Sequence, residues 1–197
     1  RPLNEFNLIP GAPLSYWVSR SLRAFYQSDT VLDAENANLK NMNSLGAVKQ
    51  GLATAKDARF LRNFWEIRHD EPTQYGSWVP FAKGGEDSWV LPRVKKSVIW
   101  TEASNEIEQY GKSRPQNQQH YFKPAITYST VKSKHGRRFG YLQERSIFGH
   151  KGPVFLPDSH VLQALSYLNS TTVTYLMLAQ TPDRMWEVGE VSKLPWY

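Results

Sequence analysis

Between Ala125 and Pro157 four short apolar runs follow one another, AITYSTVKS, RRFGYLQ, SIFGHKG and PVFLP, each closed by Gly, Pro or polar residues. Runs of this length at such close spacing are strands joined by short turns, the habit of antiparallel sheets. Two apolar stretches come next, DSHVLQALSYLNS and TTVTYLMLAQT, and both carry helical spacing; the second is expected to be capped near Thr171. Strands grouped apart from helices define an α+β protein. The expectation is one domain over 1–197, with a central twisted, mainly antiparallel sheet flanked by helices.

The N-terminal half fits that class. Pro10–Gly11 signals a turn, after which Leu14, Trp17, Val18, Leu22 and Phe25 at helical spacing predict an amphipathic helix over Pro13–Tyr26. Residues 30–44 are polar and Asn-rich, and read as a loop with one short turn. An extended segment at Ala47–Gly51 and a strand from Phe60 to Ile67 follow. Residues 68–76 read as a polar loop. SWVPFAKGGEDSWVLP reads as strand, Gly-Gly turn, strand, and VKKSVIW as another strand. TEASNEIEQYG reads as a helix with Thr101 as N-cap and Gly111 as terminator. SRPQNQQHYFKP reads as a loop, and VGEVSKLP as a closing extended segment.

Composition narrows the function classes. Of 197 residues, 40% are hydrophobic and 21% charged, the balance of a globular chain. Without cysteine there is neither a disulfide framework nor a thiolate metal site. No apolar run reaches the roughly 20 residues of a membrane span; the tract Val161–Leu178 is broken by Asn169, Ser170, Thr171 and Thr172. The chain starts at Arg1, and no signal peptide pattern follows. These features suggest a piece of a larger cytoplasmic protein that has no membrane partner.

The net charge of +6 is unevenly spread. Thirteen Lys and Arg stand against six Asp and Glu between Lys83 and Lys151, so the central region holds the whole basic excess. Within it, residues 121–140 combine five Lys and Arg, one His and four aromatic residues, with no acid. A solvated strand and loop would account for that stretch; a phosphate-facing surface with rings near bases is the alternative, and acidic lipid or simple solubility are other readings of the charge. Lys83, Arg93, Lys95, Lys96, Lys132 and Lys134 are candidate phosphate contacts, and Arg114 is a further candidate DNA-binding residue. Arg137 and Arg138 can grip phosphate or a guanine edge bidentately. The amide block at Gln116, Asn117, Gln118 and Gln119 carries the donor–acceptor pairs that match adenine, with a plain polar loop as the other reading. Trp78, Trp89 and Trp100 read first as core packing.

Catalytic patterns are sparse. His69 and Asp70 are adjacent, which in a strand sends them to opposite faces. His120, His135 and His150 lack ligand spacing, so no metal site is expected. There is no Gly-x-Ser-x-Gly elbow, and Lys83–Ser88 lacks the spacing of a phosphate loop. A small metal-dependent nuclease or other phosphodiesterase would share the basic face but needs clustered carboxylates. Seven Trp and ten Tyr suggest a carbohydrate-binding module as another rival, which requires exposed coplanar rings.

Laid in order, IPGAPLSYWVS, KQGLATAKDARFLRNFWEI, WVPFAKGG, SRPQNQQHYFKPAITYSTV, IFGHKGPVFLP, LSYLNSTTVTYLM and VGEVSKLP resemble the target-recognition region of large adenine-specific DNA methyltransferases. These include the BREX phage-defence methyltransferases and fused restriction–modification enzymes, with a TaqI-like C-terminal specificity domain related to type I specificity subunits. The resemblance runs from Ile9 to Pro195. It marks the turn at Gly51–Asp57 and the run Tyr121–Ser129 as framework, and Tyr167–Ser170 as a helix behind the sheet. The chain departs from the pattern after Lys83-Gly84-Gly85, where only Trp89 matches.

The resemblance implies sequence-specific recognition of double-stranded DNA for an adenine-N6 methyltransferase of a restriction–modification or phage-defence system. It also implies a specificity-subunit-like fold, and partnership with a methyltransferase domain of the same polypeptide and with other defence-system subunits. The Asn/Asp-Pro-Pro-Tyr/Phe loop and glycine-rich cofactor motif of the catalytic domain have no match here. S-adenosylmethionine is therefore expected to bind elsewhere in the parent enzyme, with no cofactor and no catalytic residue in this chain.

Overall fold

The structure, a computed structural model, describes residues 7–67, 77–84, 90–100, 106–131, 139–181 and 185–197. It is α+β, with mainly antiparallel strands flanked by helices, as the sequence suggests. In chain order the described strands are β1 (Thr30–Val31), β2 (Asn43–Ser44), β3 (Gly46–Lys49), β4 (Leu61–Asn63), β5 (Ser77–Ala82), β6 (Lys96–Trp100), β7 (Ala125–Tyr128), β8 (Phe139–Leu142), β9 (Ile147–Phe148) and β10 (Val154–Pro157). The chain gathers into two compact units, residues 1–48 with 155–197, and residues 49–154.

The first unit is built on helices Val161–Leu168 and Thr171–Gln180. Ser170 caps the second by accepting a hydrogen bond from Val173 N–H at 3.2 Å, one residue before the expected Thr171. Ile9, Val18 and Ala179 form a buried cluster, with Leu22 and Tyr26 packed against it. The helix expected over Pro13–Tyr26 is shorter: a helix spans Arg20–Ala24, and a 3-10 turn Phe25–Gln27. Ser15 donates to the Ala179 carbonyl at 2.8 Å, and Ser19 caps Leu22 N–H, so the chain before Arg20 is held in turns. Leu14 and Trp17, which suggested an apolar stripe, stay exposed.

Residues 30–44 are more ordered than their composition suggests. They hold β1 and β2, paired in parallel, and a helix over Ala34–Ala37. Buried Asp33 caps this helix at Asn36 N–H (3.0 Å) and accepts from Val48 N–H at 2.7 Å, tying the turn to β3. The closing segment, expected extended throughout, starts as a helix over Val188–Ser192. Only after it does the chain lie against β1, where Leu32 N–H meets the Leu194 carbonyl and Trp196 N–H the Thr30 carbonyl.

The second unit holds a four-stranded sheet in the order β4-β6-β5-β9. β6 runs antiparallel to both β4 and β5, and β9 runs parallel to β5. Buried Phe81, Val98, Ile99, Ile147 and Phe148 fill its core positions. β7 pairs antiparallel with β8. The strand expected over Phe60–Ile67 is only Leu61–Asn63, entered from a helix Asp57–Phe60 and left through a 3-10 turn Phe64–Glu66. Asn63 and Glu66 form a capping box there, an arrangement that ends the strand and starts a turn. Val90, Leu91 and Pro92 are not in a strand, contrary to the expected second arm of the Gly-Gly hairpin. The Thr101 cap, the polar loop 68–76, His69, Asp70, Trp89 and His135 lie outside the described residues.

Candidate nucleic-acid interface

Strand direction decides which basic residues meet. Asn63 of β4 stands opposite Lys96, and so does Phe81 of β5, while Ala82 stands beside Phe148 of β9. β4, β5 and β9 therefore end at the edge of the sheet where β6 begins. Neighbouring strands lie about 4.8 Å apart, so this edge is about 15 Å across. It collects the Phe64–Glu66 turn, Arg93, Lys95 and Lys96, then Lys83, then His150 and Lys151. Four of the cations chosen from sequence are brought together here: Lys83, Arg93, Lys95 and Lys96.

Their surroundings differ. Arg93 and Lys95 are exposed. Lys96 donates to the Asn63 side-chain oxygen at 2.7 Å. Lys83 pairs with the Asp57 carboxylate, which also accepts from the Thr54 hydroxyl. Burial pushes the Asp57 carboxyl up, but hydrogen bonds from Lys83 and Thr54 outweigh it, helped by the charges of Lys83 and Lys96. It is held below its usual value.

Behind Lys83 lies a cleft of about 200 Å³ lined by Thr54, Asp57, Phe81, Lys83, His150 and Lys151, among others. The Gln50 side-chain amide meets His150 Nδ1 beside the cleft. Parts of three sequence motifs meet here: residues 52–54 with Asp57, Phe81 with Lys83, and residues 149–151. A Cβ on Gly51 would sit 1.9 Å from the Phe148 carbonyl oxygen, and one on Gly84, whose φ is +86°, 2.1 Å from that of Lys151. These glycines permit backbone contact that no larger residue allows.

The amide block lies at the other end of β6. Trp100, the last residue of that strand, meets the ring of Tyr121 edge to face at 5.4 Å. Immediately before Tyr121 is the 3-10 turn Gln118–His120. Asn117 serves the framework by donating to the Gln50 carbonyl at 2.9 Å. Gln118 donates to Glu108 at 2.6 Å at an exposed position, Gln119 is exposed, and Gln116 is half-buried. Arg114 has an exposed side chain, and its backbone pairs with Ala53. Burial holds the His120 imidazole below its usual pKa, and the charges of Lys123 and Lys49 push the same way. Lys132, Lys134, Arg137 and Arg138 lie outside the described residues.

Sequence reasoning missed Phe64 and Trp65, which it assigned to a strand, and Arg62 beside them. The signal was present in the sequence: Asn63 followed three residues later by Glu66 is a capping-box spacing. Of the tryptophans read as core, Trp78 is half-buried with the Arg62 guanidinium 5.7 Å from its ring centroid. Trp100 is half-buried as well.

The charge asymmetry follows the division into units. Residues 49–154 contain eighteen Lys and Arg against ten Asp and Glu, a net +8; the other unit contains six against eight, a net −2. Among the described residues no group of three or more His, Asp or Glu is placed to hold a metal ion. No described helix is long and apolar enough to cross a membrane.

This chain is similar to two adenine-specific methyltransferases. One is adenine-specific methyltransferase PglX of Lacticaseibacillus casei (strain Zhang), 24% identical over 210 residues that cover 97% of this chain and 17% of that protein. Another is adenine-specific methyltransferase BrxX of Escherichia coli O9:H4 (strain HS), 24% identical over 201 residues, 98% of this chain and 16% of that protein. The chain thus spans about one sixth of the length of the relatives it matches. No protein-family model matches it.

Proposed function

We propose that this chain is a DNA target-recognition module, a TaqI-like specificity domain, of an adenine-specific methyltransferase of a BREX-type phage-defence or restriction–modification system. The observation that carries the reading is the basic sheet edge, where Lys83, Arg93, Lys95 and Lys96 stand together in a unit of net charge +8. Duplex DNA carries a dense line of phosphates, and a row of cations about 15 Å long can meet several of them at once. Similarity along nearly the whole chain to two adenine-specific methyltransferases supplies the chemical context.

In this reading the lysines and Arg93 set register on the phosphate backbone and carry no sequence information. Base reading falls to the amide turn at the far end of β6, with Gln119 and Gln118 as the readers. β6 spans four residue steps, so the two patches are about 13 Å apart along it, a distance that one duplex covers. Arg114, Gln116, Lys132, Lys134, Arg137 and Arg138 extend the proposed contact. Methyl transfer and S-adenosylmethionine binding belong to a catalytic domain of the parent polypeptide, in the cytoplasm.

The rivals gain little from the structure. Among the exposed aromatic residues, the adjacent Phe64 and Trp65 meet edge to face at 83°, not as the coplanar platform that a sugar ring needs. Titrating a labelled duplex with the 197-residue chain at several salt concentrations tests the proposal. Binding in the micromolar range that weakens steeply with salt is expected. Absence of binding at low salt, or binding indifferent to salt, would overturn it.

A further inference from the structure

Two large rings at the basic edge are left uncovered. Phe64 is 49% and Trp65 61% exposed, and their centroids lie 4.9 Å apart. Two adjacent exposed rings rimmed by charged residues are a candidate contact surface.

Their support is rigid. Asn63 N–H donates to the Glu66 carboxylate at 2.6 Å, closing the capping box. Phe64 N–H donates to the Lys95 carbonyl at 3.0 Å, and Lys96 Nζ holds the Asn63 side chain. With the backbone already fixed, covering the rings costs little ordering entropy.

The rim indicates the partner. Arg62, Arg93 and Lys95 are exposed around the turn, with Lys96 beneath it. The acid of the turn, Glu66, is engaged by Asn63. The cluster of cations around the rings favours a polyanion over a protein surface; DNA offers phosphates to the cations and, at a base step that opens, π faces to the rings.

We infer that Phe64 and Trp65 form an aromatic wedge that presses on nucleobases at a base step of duplex DNA, while Arg93, Lys95 and Lys96 hold the flanking phosphates. The inference rests on the DNA reading above, and adds an apolar base contact which that reading does not require. Ring contact and charge contact differ in their salt dependence. Stacking releases few counterions, whereas each phosphate contact contributes about 0.9 to the slope of log K against log salt.

The test uses the 197-residue chain, its F64A/W65A and K95A variants, and W65F, which keeps a ring. Each is titrated with a fluorescent duplex between about 50 and 200 mM salt, after far-UV circular dichroism and Tm establish folding. F64A/W65A should bind about tenfold more weakly at every salt with an unchanged slope. W65F should bind nearly as wild type, and K95A should lower the slope by about 1. If the double variant does not fold, single F64A and W65A variants replace it, each with a smaller loss at constant slope. A duplex with 2-aminopurine at its central step should brighten with wild type and not with the ring-deleted protein, because a wedge unstacks the probe. Wild-type binding of DNA with no loss on ring deletion overturns the wedge and leaves the DNA reading standing. Failure of wild type to bind DNA overturns both. Normal DNA binding by the double variant, coupled to lost association with the rest of the methyltransferase, would make the rings a protein contact and also overturn it.

Discussion

Phe64 donates its backbone N–H to the carbonyl oxygen of Lys95 at 3.0 Å, joining the turn that ends β4 to the segment that leads into β6. One hydrogen bond thus couples the exposed rings to the exposed cations. The first consequence concerns Asn63, whose side chain caps the turn and accepts from Lys96. Asn63→Ala should cost about 1 kcal/mol of stability, the usual worth of such a cap, as read by urea unfolding. Duplex affinity should fall as well, although Asn63 is not itself assigned to DNA contact. A cap loss without an affinity loss would separate the turn from the interface.

The glycines of the cleft differ in what they tolerate. At Gly51 an added Cβ would meet the Phe148 carbonyl, which is backbone and cannot rotate away. Gly51→Ala should therefore destabilise by about 3 kcal/mol or more. Gly111 has nothing within 4 Å of a built Cβ, and Gly111→Ala should leave Tm nearly unchanged. Thermal melts of the two variants compare them directly.

Asp57 is the counterion of Lys83. Its folded pKa lies below the usual value, despite burial, because Lys83 and Thr54 hydrogen-bond the charged form. The stability from this pairing is fully present above the unfolded value of about 3.9, and is lost as pH falls through the lowered folded value. Asp57→Asn should flatten that part of the acid limb of a stability–pH profile. The group is about half exposed, so the effect is small. At neutral pH the same variant releases Lys83 from its counterion and should tighten duplex binding on the order of a few-fold. Weaker binding would mean that the Lys83–Asp57 pair is itself part of the contact surface.

Strand-forming runs were legible where short apolar runs are buried or half-buried along their whole length. AITY, FGYL and VFLP all lie within strands, and both apolar helices near the C-terminus are present. Errors arose where a polar side chain outranks hydrophobic spacing. Asp33 organises a helix and a strand from inside an Asn-rich stretch that reads as loop, through bonds to Asn36 and Val48 that spacing does not reveal. Ser19 starts a helix that the apolar pattern places at Pro13, and the Asn63–Glu66 box turns an apparent strand into a display of rings. The gathering of Lys83, Arg93, Lys95 and Lys96 depends on the antiparallel register of β6, a long-range property, even though each residue could be chosen by charge.

The most direct test of the DNA-binding role reverses charge at the sheet edge. R93E/K95E/K96E should be compared with K40E, an exposed lysine in the unit of net charge −2. The measurement is duplex affinity of the folded variants at matched, low salt. The edge variant should lose at least about tenfold in affinity and show a shallower salt dependence, while K40E should bind as wild type. Equal affinity for all three proteins, or an equal loss from both variants, would contradict the assignment of DNA binding to this edge.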